Sequence, residues 1–346
     1  MIQIKKEGII LKKTDRGFEN EGVLNPAIIE NENGIHLFYR AVEKGNISGI
    51  GYCRLSDPVS VEQRNVTPLI FSQFGYESQG LEDPRIVRIE GVYYLTYTAY
   101  DGINALGALA VSKDLKTFVK KGIIVPQISY NDFSLLAESK SHINQKYLRY
   151  NSRYVDQHKD DSSTFIWDKN VILFPRKIDG KFYMLHRIKP DIQIVAFYSF
   201  YDLTPDFWQK YFLKMEGCIV MTPKFDHEVS YLGGGCPPVE TADGWLLIYH
   251  GVHDTIQGYV YSACAALLDL NDPQKEIARL PYALFKPELE WELNGEVNNV
   301  CFPTGTIVRE DTLYIYYGAA DEQIACASVS LSGLLNELLK NIEHDK

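Results

Sequence analysis

One pattern limits this chain more than any other: it repeats itself five times. A short aromatic strand ending in a polar or small residue recurs as GIHLFYRA (Gly34 to Ala41), GVYYLTYTA (Gly91 to Ala99), GKFYMLHR (Gly180 to Arg187), GWLLIYHG (Gly244 to Gly251) and DTLYIYYGA (Asp311 to Ala319). A proline-headed segment precedes each, at Pro26, Pro84, Pro175, Pro237 and Pro303, and a turn rich in Gly, Asn, Asp and Glu joins the two. Short apolar runs bounded by turn residues read as β-hairpins, not helices. A third strand with recurrent small residues follows each hairpin: IGYCRLSD, GALAVSKD, IQIVAFYSFYD, VYSACAALLDL and IACASVSL. A fourth apolar segment follows as PLIF (68–71), GIIV (122–125), GCIV (217–220) and YALF (282–285). The last copy lacks one, and GIIL (8–11) at the N-terminus is available to supply it.

Five repeats of four strands and a borrowed terminal strand predict an all-β fold. The expectation is a five-bladed β-propeller over 1–346 as one domain, its ring closed by the N-terminal strand so that no sheet edge stays open. Two segments break the pattern. Residues 131–168 form a polar insertion with partly helical spacing, and the leucines of 331–346 predict a C-terminal helix. The insertion is long enough to act as a lid or as a contact in a homo-oligomer, and the tail helix is a second candidate contact.

Composition narrows the function. The chain holds 23 Tyr, 16 Phe and 4 Trp, residues that suit a pleated surface and also make walls for sugar rings. A net charge of −10 argues against nucleic acid as a partner. The start, MIQIKKEGIILKK, lacks the apolar run of a signal peptide, and no later run is long enough for a membrane span, which predicts a cytoplasmic protein. The six cysteines lack zinc or redox spacing and read as free thiols, and the histidines show no metal-ligand spacing.

In a propeller the inner strands converge on one central pocket. The proline-headed segments are the candidate inner strands and open on Asn25, Asp83, Phe174, Cys236 and Phe302. The following strands end on Arg40, Thr98, Arg187, His250 and Gly318. Two arginines and a histidine at equivalent positions point to a binding site; the other use for them is to pair with carboxylates that brace neighbouring blades. Asp83, fixed by Pro84, is the candidate acid, although an Asp before Pro also serves as a plain turn residue. Glu82 is expected to face away from it, because neighbours in an extended segment point to opposite sides. Glycoside hydrolysis needs two carboxylates, and Glu240 is the one further acid near an inner-strand head. Cations outnumber acids, a balance that suits phosphate in place of activated water as the nucleophile.

The runs EDPRI, LFPRKIDGKFYMLHR, GWLLIYHGV, ALLDLNDPQKEIARLPYALFKP, NVCFPTG and YIYYGAADE, in that order, resemble glycoside hydrolase family 130. The resemblance implies a five-bladed propeller that cleaves β-mannosides, in most members by phosphorolysis and in a minority with water. It implies Asp83 as proton donor, acting through a hydroxyl of the bound mannose, and phosphate attack with inversion to give α-mannose 1-phosphate. It implies that Arg40, Asn25 and Asp321 hold the manno-oligosaccharide and that Lys169, Arg187 and His250 bind phosphate. No cofactor is implied beyond inorganic phosphate as co-substrate. Lys169 stands where arginine is commoner, keeping charge but losing bidentate geometry, and VEKGNISG after Arg40 lacks a further arginine. The alternatives are a β-mannosidase using water, with Glu240 as base, and a non-catalytic mannan-binding propeller.

Overall fold

A computed structural model describes residues 2–139, 143–149 and 164–342. The chain is predominantly antiparallel β-sheet, arranged as five units, four of four strands and one of five. Strand β1 (Lys5–Leu11) comes first, and unit one follows with β2 (Gly22–Asn31), β3 (Gly34–Glu43), β4 (Ile47–Asp57) and β5 (Ser60–Arg64). Unit two is β6 (Gly80–Ile89), β7 (Val92–Tyr100), β8 (Ala105–Ser112) and β9 (Val119–Ile123). Unit three is β10 (Lys169–Leu173), β11 (Phe182–Arg187), β12 (Ile192–Phe197) and β13 (Ile219–Met221). Unit four is β14 (Tyr231–Gly234), the two-residue β15 (Val239–Glu240), β16 (Trp245–Thr255), β17 (Gly258–Leu268) and β18 (Glu276–Arg279). Unit five is β19 (Cys301–Arg309), β20 (Thr312–Ala319) and β21 (Gln323–Ser330), and β1 pairs with β21 as its fourth strand. Units one and two join into one sheet through a single parallel bridge, Ser48 to Gly80.

Local chemistry explains the hairpins. Glu90–Gly91 and Asp179–Gly180 each place two consecutive residues at positive φ (49° and 81°, 50° and 75°), as a tight turn matched to strand twist requires. The first strands lie side by side: β2 touches β6, β6 touches β10, β10 touches β14, and β19 touches both unit four and β2. Apolar side chains fill the spaces between units. Ile172, Leu185 and Leu232 of units three and four, for example, share a core with Trp245 and Leu247.

Two expectations about edges need correction. The fourth strands of units one and four are SVEQR and EIAR, not PLIF and YALF, which make only single bridges, Ile50 to Ile70 and Ala263 to Phe285. An outer strand faces solvent, so apolarity does not mark it: four of the five residues of β5 are exposed. The tail helix is also shorter than predicted. It spans Leu331–Leu339, capped by Ser330 Oγ, which accepts from Gly333 N, and buries Leu334 and Leu338.

Of the predicted insertion, α1 (Tyr130–Ser139) is helical and packs its Phe133 against Phe212 of α2 (Pro205–Phe212). Residues 140–142 and 150–163 of the insertion, and 343–346 of the tail, lie outside the described residues. All six cysteines are free. No helix among the described residues is long and apolar enough to cross a membrane.

Candidate active site

The hairpins of all five units present residues at one register. Leu24 pairs with Arg40, Glu82 with Thr98, Lys169 with Arg187, Gly233 with His250 and Phe302 with Gly318. In units one to three the next residue of the first strand is Asn25, Asp83 or Asn170, at φ of 51°, 49° and 55°. Each pairing then slips, with one extra residue on the first strand. Such a bulge re-aims side chains that strict alternation would keep apart.

The bulge overturns two expectations. Glu82 does not face away from Asp83: it joins the same cluster, its Oε1 2.8 Å from Arg40 Nη2 and its Oε2 3.2 Å from Lys169 Nζ. The unit-three counterpart of Asp83 is Asn170, not Phe174, because Pro175 follows β10 whereas Pro26 and Pro84 lie inside their strands. Phe302, opposite Gly318, corresponds to Glu82, and Cys236 lies beyond the end of β14.

A cavity of about 220 Å³ opens here, lined by Asn25, Arg40, Asp83, Lys169, Arg187 and Asp321 among others. Six of the seven residues singled out from sequence therefore meet. The seventh, His250, is buried without lining the cavity, its ring 4.3 Å from that of the wall residue Phe302. Neither of its ring nitrogens has a hydrogen-bond partner among the described residues. Burial, then the charges of Arg187, Arg85 and Lys189, hold its pKa well below the usual histidine range, so the imidazole is neutral.

The cavity has an acidic side and a basic side. On the acidic side Asp83 Oδ1 accepts from Asn25 Nδ2 at 2.7 Å. Burial pushes the Asp83 pKa up, but Lys169, Arg40, Arg85 and the Asn25 bond outweigh it and hold the carboxyl below its ordinary value. Asp321 goes the other way: burial, aided by Asp83 and Glu82 against the opposing charge of Arg40, pushes it up to about 6. On the basic side Arg187 and Lys189 have no carboxylate partner among the described residues, and Arg187 Nε is buried and unbonded. Arg187 Cζ lies 5.3 Å and Lys189 Nζ 3.8 Å from the centre of the Tyr231 ring.

Among the residues that escaped the sequence reading are Asn170 and Lys189 of the lining, and Arg85, which does not line the cavity. Arg85 is almost fully buried and donates to the backbone oxygens of Asp83, Gly234 and Gly235, tying β6 to unit four. The EDPRI motif contains it, but its partners lie about 150 residues away. Asn170 and Lys189 carried no signal, since neither precedes a proline at the bulge or ends a repeat strand. Glu240, the candidate base for a hydrolase, is not in the site. It lies on the surface in a forked pair with Arg176, bonded at 2.8 to 3.0 Å.

Gly318 shows how tightly the units interlock. A Cβ there would run into Asn25 Oδ1, so glycine lets the Asn25 side chain of unit one cross unit five and reach Asp83. Gly318→Ala is expected to lower kcat by roughly 10- to 100-fold through misplacement of Asn25 and Asp83. Steady-state kinetics beside a thermal melt check this, since a melt unchanged within a few degrees places the loss in the site.

A family model described as β-1,4-mannooligosaccharide phosphorylase matches residues 10–166 and 147–340. A 1,2-β-oligomannan phosphorylase of Thermoanaerobacter sp. (strain X514) is 33% identical over 96% of this chain and 99% of its own. A β-1,2-mannobiose phosphorylase of the same organism is also 33% identical, over 95% and 97%. Among solved structures, the β-1,2-mannobiose phosphorylase of Listeria innocua in complex with β-1,2-mannobiose superposes with a TM-score of 0.72 at 22% identity, over 97% of this chain and 99% of that one. With the family model covering nearly the whole length, the chain belongs to glycoside hydrolase family 130.

Proposed function

We infer that this chain is a β-mannoside phosphorylase. Inorganic phosphate attacks the anomeric carbon of the terminal mannose, the glycosidic bond breaks, and the leaving oxygen takes a proton from a hydroxyl of the bound mannose, a proton that Asp83 replaces. Attack from the face opposite the leaving group inverts the centre and gives α-mannose 1-phosphate and a shortened acceptor. One observation carries the phosphate half of this reading: Arg187 and Lys189 are sunk at the cavity wall with no carboxylate to match them among the described residues. A buried, unmatched cation is costly, and a dianionic co-substrate is the natural compensation. Asn25, Arg40 and Asp321 also line the cavity, with Glu82 paired to Arg40, and their donors and acceptors suit sugar hydroxyls.

The same reading takes the five units as the blades of a propeller over one domain. The neighbouring first strands support it, and so does the addition of β1 to unit five. For linkage we propose β-1,2, because the two relatives at 33% identity carry β-1,2 names. Glu240, the base named for the water-using alternative, lies outside the site.

The test is direct. Purified protein is given β-1,2- and β-1,4-mannobiose with and without phosphate, and mannose 1-phosphate and free mannose are assayed. Mannose 1-phosphate is expected only with phosphate, and faster from the β-1,2 substrate. Equal release of free mannose without phosphate would refute the phosphorylase reading, and a faster β-1,4 reaction would refute the linkage.

A further inference from the structure

Lys189 lies in the turn between β11 and β12, outside the strand register that places the other site residues. The turn is pinned. Gln193 bonds both the N–H and the carbonyl of Ile188, at 2.8 and 2.9 Å, and Leu232 N donates to Pro190 O at 2.9 Å. The ammonium group is thus held at the cavity wall, 3.8 Å from the centre of the Tyr231 ring, on the side of Arg187. A tyrosine face offers a cation only about 0.5–2 kcal/mol, far less than an anion in contact. Lys169, by contrast, already has Glu82. Among the described residues the free positive charge on this side therefore belongs to Arg187 and Lys189.

We propose that Lys189 is a further ligand of the tetrahedral anion, completing with Arg187 the anion site that Lys169 and Glu82 border. This deepens the phosphorylase reading and rests on it for the identity of the anion. The assignment carries a pH signature. Burial first, then the charges of Arg187 and Lys169, push Lys189 down to about 7. Lys189 is charged below that pH and neutral above it, and a bound anion holds the proton on. Anion affinity is therefore full below about pH 7 and is lost as pH rises.

The neighbours leave this window clear. Burial raises Tyr231 and Tyr261, which stay neutral, and His250 is neutral throughout. Asp321 titrates near 6 and Asp83 lower, both below the window. Asp191, two residues on, is turned to Tyr147 and to Lys146 at 2.6 Å.

Sulfate is the probe, since its charge does not change in this range. Its dissociation constant, measured calorimetrically on the full chain at constant ionic strength, is expected to rise roughly tenfold per pH unit above 7. Lys189→Arg, charged at every pH, is expected to flatten that slope. Lys189→Met is expected to bind sulfate at pH 6.5 as weakly as the native protein does at pH 8.5. In turnover the loss is expected in KM for phosphate, with KM for the mannoside moving little. A native slope in Lys189→Arg, or native affinity in Lys189→Met, would overturn the assignment. If Lys189→Met fails to fold, the arginine variant still decides. Sulfate binding that follows Lys189 in a protein that makes no mannose 1-phosphate would support the anion site while sinking the phosphorylase reading.

Discussion

Asp83→Asn is expected to cut turnover by roughly 10²–10⁴-fold while phosphate binding persists. The substitution keeps the shape of the side chain, and its oxygen can still accept from Asn25 Nδ2. It removes the one thing a general acid must deliver, a transferable proton. It also removes a negative charge close to Lys169, Arg40 and Arg85, so phosphate affinity is expected to hold or rise. The charge balance explains how such an acid can work. Those three cations hold Asp83 ionised at neutral pH. A phosphate dianion arriving beside Lys169 offsets that field, raises the carboxyl and lets it take up a proton. The acid is then armed by the co-substrate. Single-turnover assays of mannose 1-phosphate formation beside phosphate-binding calorimetry check both halves. A mannan-binding protein would keep its sugar affinity and show no turnover to lose, and native turnover in Asp83→Asn would remove Asp83 from the chemistry.

The repeat pattern made much of this legible. Register, hairpins and the pairing of the N-terminal strand follow from aromatic strands bounded by turn residues, because burial of an inner strand writes itself into composition. Edges did not: SVEQR in β5 faces water and has no apolar signature. Six of the seven residues named from sequence line one cavity because they sit at repeat ends or family motifs, where position alone implies direction. Glu82 was misdirected by the assumption of an unbroken strand. The positive φ of Asp83 cannot be read from its identity, and that single kink turns Glu82 into the site. Arg85 and Lys189 act across units or from a turn, where no local period reports on them.

The repeat also encodes its own bracing, and that is where the largest stability effect is expected. Tyr39, Tyr97, Tyr249 and Tyr317 each precede a register residue of the site, so they point the other way, into the sheet packing. Each donates its hydroxyl to a fully buried glutamate from the turn before the first strand: Glu19 at 2.7 Å, Glu77 at 3.0 Å, Glu228, and Glu292 at 2.6 Å. A cation from the fourth strand completes each cluster, as Arg64, Lys120, Arg279 and Lys6. Lys6 comes from β1, so the N-terminal strand brings the same cation as its counterparts.

Unit three departs from the pattern, with His186 held between Asp168 at 2.7 Å and Tyr211 at 2.8 Å. Glu77→Ala would strand the buried Lys120, the Tyr97 hydroxyl and the N–H groups of Gln73 and Phe74. Removing one partner of a buried pair costs about 3–5 kcal/mol, whereas Glu240→Ala in the exposed Arg176 pair is expected to cost at most about 1 kcal/mol. Urea unfolding of the two variants beside the native protein measures the contrast. The double variant Glu77→Gln with Lys120→Met is expected to recover part of the loss, because it leaves no charge unmatched. Equal midpoints for Glu77→Ala and Glu240→Ala would mean that water reaches Lys120 and that the buried clusters do not hold the units together.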